Sequence, residues 1–546
     1  MSDERLPPET PPSRSGDNSK MAKAAAGISV FTVLGFCTGP LTKIILARVL
    51  GTEDAANAFN YVNRLTQDVF RSWEKLVRPT FLPVLAQERE RVGAAEAWRF
   101  TNSAVNLQAV LLALLAAALM VFSREVIRTT NLTGVQATLA ARFLVVLAPS
   151  VFLLSIAVTL YMLLNSYKRF HLAAFGDQVF AKLVPLCALV LLYAFAGLYA
   201  LLFGMVVGAL AKLALYVWGL RAELRNFRFE LDLRSVAMKH LWLMILPLAA
   251  GVLVAFFRNR GEDLLLSAVL GGRAMTLVIY ARAPVDIPIQ IFPAALSIAI
   301  FPFISEYFAR KNYDELFAVL GKGIRIIFLA FLPLTAAFMI LAHPLAAAAF
   351  GGGKFKPEDV ALTTIALRWY AIGYVFLGLE LLLLQFFYAA RETWTPTWTG
   401  IMTSLVQLLI LSELIIHAGD DVGAFTLAFT ASKALKVALL FVLLVRVYPH
   451  SHLWASMLKR TVPALVRIAA ATAAMGVAVY VLHAVIEKRL PLADPHAHAT
   501  HLLAAAVQLV VAGGAGALVF AAGVHLLGVE EWRQGLGWIK GKLAKR

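Results

Sequence analysis

Blocks of about 20 apolar residues recur along this chain, the length a helix needs to cross a bilayer core of about 30 Å. Clear cases are Leu107–Phe122, Val179–Phe195, Leu198–Leu220, Ile326–Leu341, Ala371–Leu384 and Leu502–Ala522. Backbone N–H and C=O groups find no water in lipid, so each block must satisfy its own hydrogen bonds as a helix. No alternating apolar–polar pattern of about ten residues recurs, which disfavours a β-barrel. Composition agrees: 60% of the 546 residues are hydrophobic and 15% are charged, against about 25% charged in soluble domains. The expectation is an all-α polytopic membrane protein and not a soluble enzyme.

Hydropathy predicts about fourteen spans, at 25–50, 56–86, 104–123, 137–165, 174–196, 198–220, 241–268, 274–306, 325–349, 361–389, 396–416, 423–446, 461–485 and 502–527. Residues 1–22, rich in Pro, Ser, Asp and Arg, read as a disordered cytoplasmic tail. Residues 531–546 read as a basic cytoplasmic tail. An even span number places both termini on one side. Loops on that side, with the tails, hold 27 Lys and Arg, whereas the opposite loops hold 7: Arg124, Arg128, Arg273, Lys354, Lys356, Lys488 and Arg489. The positive-inside rule therefore puts both termini in the cytoplasm of a multi-pass inner-membrane protein. The same sorting accounts for the net charge of +17 without a nucleic-acid partner.

One internal repeat is legible. Val49-Leu50-Gly51, Tyr61, Arg64 and Phe81-Leu82-Pro83 have counterparts about 220 residues on, in Val269-Leu270-Gly271, Tyr280, Arg282 and Phe301-Pro302. Glycine and proline are 32 residues apart in the first copy and 31 in the second. An offset of six helices preserves orientation, so the repeat is parallel, about an axis along the membrane normal. Two six-helix lobes follow, at 23–220 and 221–450, with two further helices in 451–530.

Charges inside spans are costly and face a cavity or a partner. They concentrate on the opening helices of each lobe, where nine cations (Lys43, Arg48, Arg64, Arg71, Lys75, Arg78, Arg258, Arg260 and Arg282) meet five acids (Asp68, Glu74, Glu262, Asp263 and Asp286). A net-positive site in a low dielectric attracts an anion. Arginine outnumbers lysine, and its planar fork suits phosphate. The functional reading is a cationic cavity for a phosphate-bearing lipid headgroup. Its candidate ligands are Arg64, Arg71, Arg258, Arg260, Arg282, Lys43 and Arg48, with Asp286, Glu262 and Asp263 as cavity acids. The bland reading is ion pairing between lobes and snorkelling of Lys43, Arg48, Lys75 and Arg78 near span ends. No catalytic constellation, metal site or cofactor is expected. Gly351-Gly352-Gly353-Lys354 lacks the Walker spacing and reads as a flexible outer connector. His496, His498 and His501 have no carboxylate support, and Cys37 and Cys187 read as small interior residues.

Several stretches resemble the MurJ/MviN lipid II flippase family of the multidrug/oligosaccharidyl-lipid/polysaccharide exporter superfamily. They are Val33-Leu34-Gly35-Phe36, Ala47-Arg48-Val49-Leu50-Gly51, Asn57-Ala58-Phe59, Phe81-Leu82-Pro83-Val84-Leu85, Tyr280-Ala281-Arg282 through Asp286-Ile287-Pro288, and Phe301-Pro302-Phe303-Ile304-Ser305. Phe350-Gly351 to Lys354-Phe355 and Phe387-Tyr388-Ala389-Ala390-Arg391 to Thr395-Pro396 continue the series, which covers about residues 25–450. The resemblance implies two lobes around a cationic cavity, a groove formed by the last two helices, and alternating access. It implies outward movement of a polyprenyl-pyrophosphate-linked precursor, by a monomer among membrane lipids. Arg71 falls on the family's second-helix arginine, Asp286 on its eighth-helix acid, and Arg282 one position from its eighth-helix arginine. The chain departs from the pattern at Thr32 and Cys37-Thr38, where the family's first helix has arginines and an acid. It also departs on the eleventh helix, which offers only Gln407 and Glu413 where some members have a sodium site. The alternatives are a flippase for another lipid-linked glycan, or a small-solute or drug antiporter of the same superfamily. Such antiporters usually have twelve helices and fewer cavity arginines.

Overall fold

A computed structural model describes residues 38–390, 392–418, 422–491 and 498–543. Among these residues the chain is helical, with one isolated bridge between Gly352 and Phe355 and no strand. The helices are α1 (38–50), α2 (Asp54–Arg91), α3 (Ala94–Val121), α4 (Ser123–Arg128), α5 (Gly134–Ser166), α6 (Phe170–Phe175), α7 (Leu183–Ala196), α8 (Tyr199–Gly219) and α9 (Val236–Ala309). They continue as α10 (Tyr313–Ile340), α11 (Ala342–Phe350), α12 (Pro357–Ala389), α13 (Trp394–Ala418), α14 (Val422–Val447), α15 (Ser451–Arg489), α16 (His498–Val507), α17 (Gly513–Leu526) and α18 (Glu530–Leu543).

Among the described residues, ten helices are long and apolar enough to cross a membrane, and one bent pair makes an eleventh. The ten coincide with ten of the fourteen predicted spans. The bent pair, Val236–Leu246 with Leu248–Ser267, coincides with the span predicted at 241–268. Of the other three, 25–50 begins outside the described residues and continues as α1. The second is α2, helical over 38 residues but too charged to score as apolar. The third, 274–306, continues α9 without a connection. Arg273, expected in an outer loop, therefore lies within a helix 74 residues long. The adjacent Gly271-Gly272 pair permits a loop but does not dictate one, because glycine disfavours helix by only about 1 kcal/mol.

Contacts divide the chain into two compact units. One contains Trp73–Ala116 and Val146–Ile245. Inside it α7 and α8 form a hairpin across Gly197. Buried polar side chains join its apolar helices, as interhelical hydrogen bonds do where lipid offers no alternative partner. Gln108 donates to the Ser155 carbonyl at 2.7 Å and accepts from Thr159 at 2.6 Å. Lys212, 2% exposed, pairs with Asp177 at 2.6 Å. Cys187, expected inside, is exposed on α7 instead. That helix is apolar on every side, so its sequence has no stripe to mark the buried face.

The second unit contains Gly39–Ser72, Ala117–Val145 and Leu246–Arg546. Here α12 packs on α14 and α10, and α13 packs on α14. The late helices α15 and α17 pack against α10 through Leu341, Met475, Val479 and Ala512, and again through Ile468, Ala471, Val524 and Val529. Part of the segment expected as a basic tail is helical, as α18. It is tied to α10 by an ion pair between Arg325 and Glu531.

The glycine-rich segment before α12 is a packed turn and not a flexible connector. Lys354 N–H donates to the Arg48 carbonyl at 3.0 Å. Gly353 has φ +62°, and a Cβ there would sit 2.0 Å from the Arg48 oxygen. Gly353→Ala is expected to cost about 1–3 kcal/mol through combined strain and clash. Gly514→Ala is the control, since a Cβ there meets nothing within 4 Å. Thermal unfolding of the purified variants checks this, and equal midpoints would show that the turn yields freely.

Candidate functional site

All ten candidate residues lie in the second unit. Helix periodicity builds the central cluster. Arg64 and Asp68 sit one turn apart on α2, so they share a face. Arg258, Arg260, Glu262 and Asp263 occupy successive turns of α9. The Arg64 Nε is 2.9 Å from Asp263, and its Nη2 is 3.4 Å from Glu262. Arg260 Nη2 lies 2.6 Å from Asp68 and 2.8 Å from Asp263. Arg258 Nε lies 3.3 Å from Glu262. Asp263 is 0% exposed and Glu262 is 5% exposed, so these carboxylates are held almost wholly by their guanidinium neighbours. Glu262 also accepts from Gln407 of α13 at 2.6 Å, and Gln407 accepts from Ser432 of α14 at 3.0 Å.

Asn60 of α2 donates to Thr276 at 3.3 Å and approaches the Tyr280 hydroxyl at 3.5 Å. Asn60 and Tyr280 stand 220 positions apart, so this contact joins the start of α2 to the middle of α9.

Arg282 forms a second pair, with Asp286 at 3.1 Å. Its guanidinium lies 5.0 Å from the Phe429 ring centroid and 5.9 Å from that of Tyr370. Lys43 stands within electrostatic reach of Asp286, Arg282 and Arg71. Arg71 is exposed and has no hydrogen bond or ion pair among the described residues. Arg48 turns elsewhere: it donates to the Ala348 carbonyl at the end of α11, beside the glycine turn. Of the seven candidate cations, the structure thus brings Arg64, Arg258 and Arg260 into one cluster. It sets Arg282, Lys43 and Arg71 beside it, and it uses Arg48 as a strut. Arg273 makes a separate contact, 2.7 Å from the fully buried Asp359.

Three charged residues escaped the sequence reading. Glu380 of α12 is 8% exposed and lies 2.8 Å from Lys433 and 2.7 Å from Lys436, both on α14. Lys433 stands 5.8 Å from the Phe429 ring that also faces Arg282. Their signal was available, since each is a charge inside an otherwise apolar span.

Eight cations (Arg64, Arg258, Arg260, Arg282, Lys43, Arg71, Lys433 and Lys436) thus share five carboxylates (Asp68, Glu262, Asp263, Asp286 and Glu380). The surplus is positive. Several close N···O contacts lack hydrogen-bond angles: Arg258 Nε, Arg260 Nε and Arg260 Nη1 are buried without an acceptor among the described residues, and both oxygens of Asp263 are buried there without a donor. Fixed donors of this kind, beside surplus positive charge, suit an incoming oxyanion.

The chain matches the family model described as lipid II flippase MurJ over residues 46–490. A lipid II flippase MurJ of Burkholderia cenocepacia is 26% identical over 434 residues, covering 77% of this chain and 83% of its own. A probable lipid II flippase MurJ of Rhizobium meliloti is 24% identical over 462 residues, covering 81% and 83%. Among solved structures, a lipid II flippase MurJ in an inward closed conformation matches with TM-score 0.70 at 15% identity, over 89% of this chain and 98% of that one. An inward-facing multidrug resistance MATE transporter of the MOP superfamily matches with TM-score 0.66 at 14% identity, over 80% and 99%. The structural matches establish the fold, and the sequence matches establish a family of transporters rather than enzymes. Together with the apolar helices they describe a multi-pass bacterial inner-membrane protein. With the family model covering 46–490, the chain belongs to the lipid II flippase MurJ family.

Proposed function

We propose that this protein is a flippase. It moves a polyprenyl-pyrophosphate-linked cell-wall precursor of the lipid II type from the inner to the outer leaflet by alternating access. The observation that carries the reading is the surplus of cations over carboxylates around Arg258 and Arg260. A pyrophosphate headgroup carries about two negative charges and cannot cross hydrocarbon unaided. Guanidinium groups replace its water, while the polyprenyl tail stays in lipid beside α15 and α17. The two predicted lobes rock about the repeat axis and open the cluster to each side in turn. Arg64, Arg258, Arg260 and Arg282 contact the headgroup, with Lys43 and Arg71 at its margin. Glu262, Asp263 and Asp286 hold the arginines in place between turnovers.

Both termini face the cytoplasm in this reading, on the strength of the sorting of loop cations, 27 against 7 in the loops predicted from sequence and 6 once Arg273 is counted within α9. An inside-negative potential favours outward movement of an anion by about 2.3 kcal/mol per charge per 100 mV. An uncoupled, potential-assisted cycle is then energetically sufficient without ATP or sodium. The number of arginines in the cluster disfavours the alternative reading as a small-solute or drug antiporter of the same superfamily. Complementation tests the assignment: expression should restore growth to cells depleted of their lipid II flippase. Failure by a well-expressed, membrane-inserted protein would point to another lipid-linked glycan.

A further inference from the structure

The first compact unit holds a separate polar cleft of about 320 Å³. It lies where α2 ends, α3 begins and the chain approaches α9. Its charged lining is Glu88, Arg91, Glu96, Arg99 and Asp232, with Ser103 and Ser235 between them. Glu88 is only 3% exposed, and its Oε1 is sealed from solvent with no hydrogen-bond partner among the described residues. No cation pairs with it there, although Arg91 follows one turn later. Arg99 is engaged with Glu96 at 3.4 Å. A buried carboxylate oxygen without a donor is costly and is normally satisfied by a partner or bound group. Glu88 therefore brings an unneutralised carboxylate to the lining, which a donor-bearing cation would offset, with Arg91 and the Glu96-paired Arg99 nearby for an anion.

A second observation is an exposed apolar row beside the cleft. Residues 227–234 form a strap, irregular over 227–232 and turning at 233–234, that alternates apolar and charged residues: Phe227, Phe229, Leu231 and Leu233 between Arg228, Glu230, Asp232 and Arg234. All four apolar side chains are exposed, Phe229 by 76%. Three buried polar residues on one face of α3 fasten the strap. Asn106 donates to the Arg228 and Glu230 carbonyls at 2.9 and 3.0 Å. Ser103 accepts from Asp232 N–H at 3.0 Å, and Asn102 reaches the Asn226 carbonyl at 3.5 Å. An exposed apolar row held this firmly beside charged residues suits the level where acyl chains meet headgroups.

We propose that the Glu88 cleft binds the zwitterionic headgroup of a phosphatidylethanolamine that is not transported. The ammonium donates to Glu88, the phosphate lies against Arg91 and Arg99, and the acyl chains run along the strap. A quaternary choline has no N–H to give Glu88, and a glycerol headgroup has no positive charge. This site shares no residue with the cationic cluster, so it stands or falls independently of the flippase reading.

The test is competitive lipid retention by the purified full chain, read by native mass spectrometry. The lipids are phosphatidylethanolamine, phosphatidylcholine and phosphatidylglycerol with matched acyl chains. Wild type should favour phosphatidylethanolamine at least about tenfold, the usual worth of a hydrogen bond to a charged group. E88Q should lose that preference while still binding lipid, and E88D should keep part of it. Thermal unfolding of both variants separates loss of the site from loss of the fold. R99Q, on the exposed side of the cleft, should weaken retention without changing the ammonium preference. Equal retention of the three lipids by folded wild type would overturn the proposal. So would an unchanged preference in folded E88Q. Free O-phosphoethanolamine should not compete at millimolar concentration, and efficient competition would contradict a lipid as the occupant.

Discussion

Asp263→Ala is expected to be among the most damaging single substitutions in this protein. Asp263 is fully buried, with Arg64 at 2.9 Å and Arg260 at 2.8 Å. Removing one member of a buried ionic cluster typically costs about 3–5 kcal/mol, because the remaining charges keep their desolvation penalty. Glu262 and Asp68 each keep one of the two arginines partly neutralised, at 3.4 and 2.6 Å, but the balance of the cluster shifts by a full charge. Folded yield and unfolding midpoint should both fall sharply. Glu306→Ala gives the scale for a surface pair: Arg310 and Glu306 are 2.8 Å apart but 72% and 48% exposed. That loss should stay below about 1 kcal/mol. If Asp263→Ala matched Glu306→Ala in yield and midpoint, the buried cluster would not hold α2 against α9.

Glu380→Ala is the second large effect. Its carboxylate separates Lys433 from Lys436, which stand three residues apart on one face of α14. Without it two ammonium groups face each other with little access to water, and a loss of about 3–5 kcal/mol is expected. The cause can be isolated with a double substitution. Adding Lys436→Met should recover much of the loss by removing the stranded charge, whereas independent sites would simply add. A double variant as unstable as the two losses combined would place the defect in packing rather than charge.

The spans were legible because membrane helices announce themselves by length and hydropathy. The pairing of Arg258 with Glu262, Arg260 with Asp263 and Arg282 with Asp286 was also within reach, since these pairs are three or four residues apart on α9. The contribution of Asp68 and Arg64 required knowing that α2 lies against α9, a contact across 192 to 198 positions that only the repeat hinted at. Glu380 and Lys433 went unnoticed for a different reason. Glu380 and the Lys433–Lys436 pair are few charges in strongly apolar spans, where a window average hides them, although the cost of burying each marks it. The glycine turn was misread because glycine says only that unusual backbone angles are tolerated. Its packing against Arg48 is a contact across roughly 300 residues, which local sequence cannot express.

Headgroup exposure in sealed vesicles tests the cationic transport route most directly. The purified chain is reconstituted with lipid II, and a membrane-impermeant reagent reports headgroups reaching the outer face under an imposed inside-negative potential. Exposure should rise above protein-free vesicles, increase with the potential, proceed without sodium, and collapse in a folded Arg260→Gln variant. Exposure that requires sodium and ignores both the potential and Arg260 would contradict an uncoupled flippase working through this cluster.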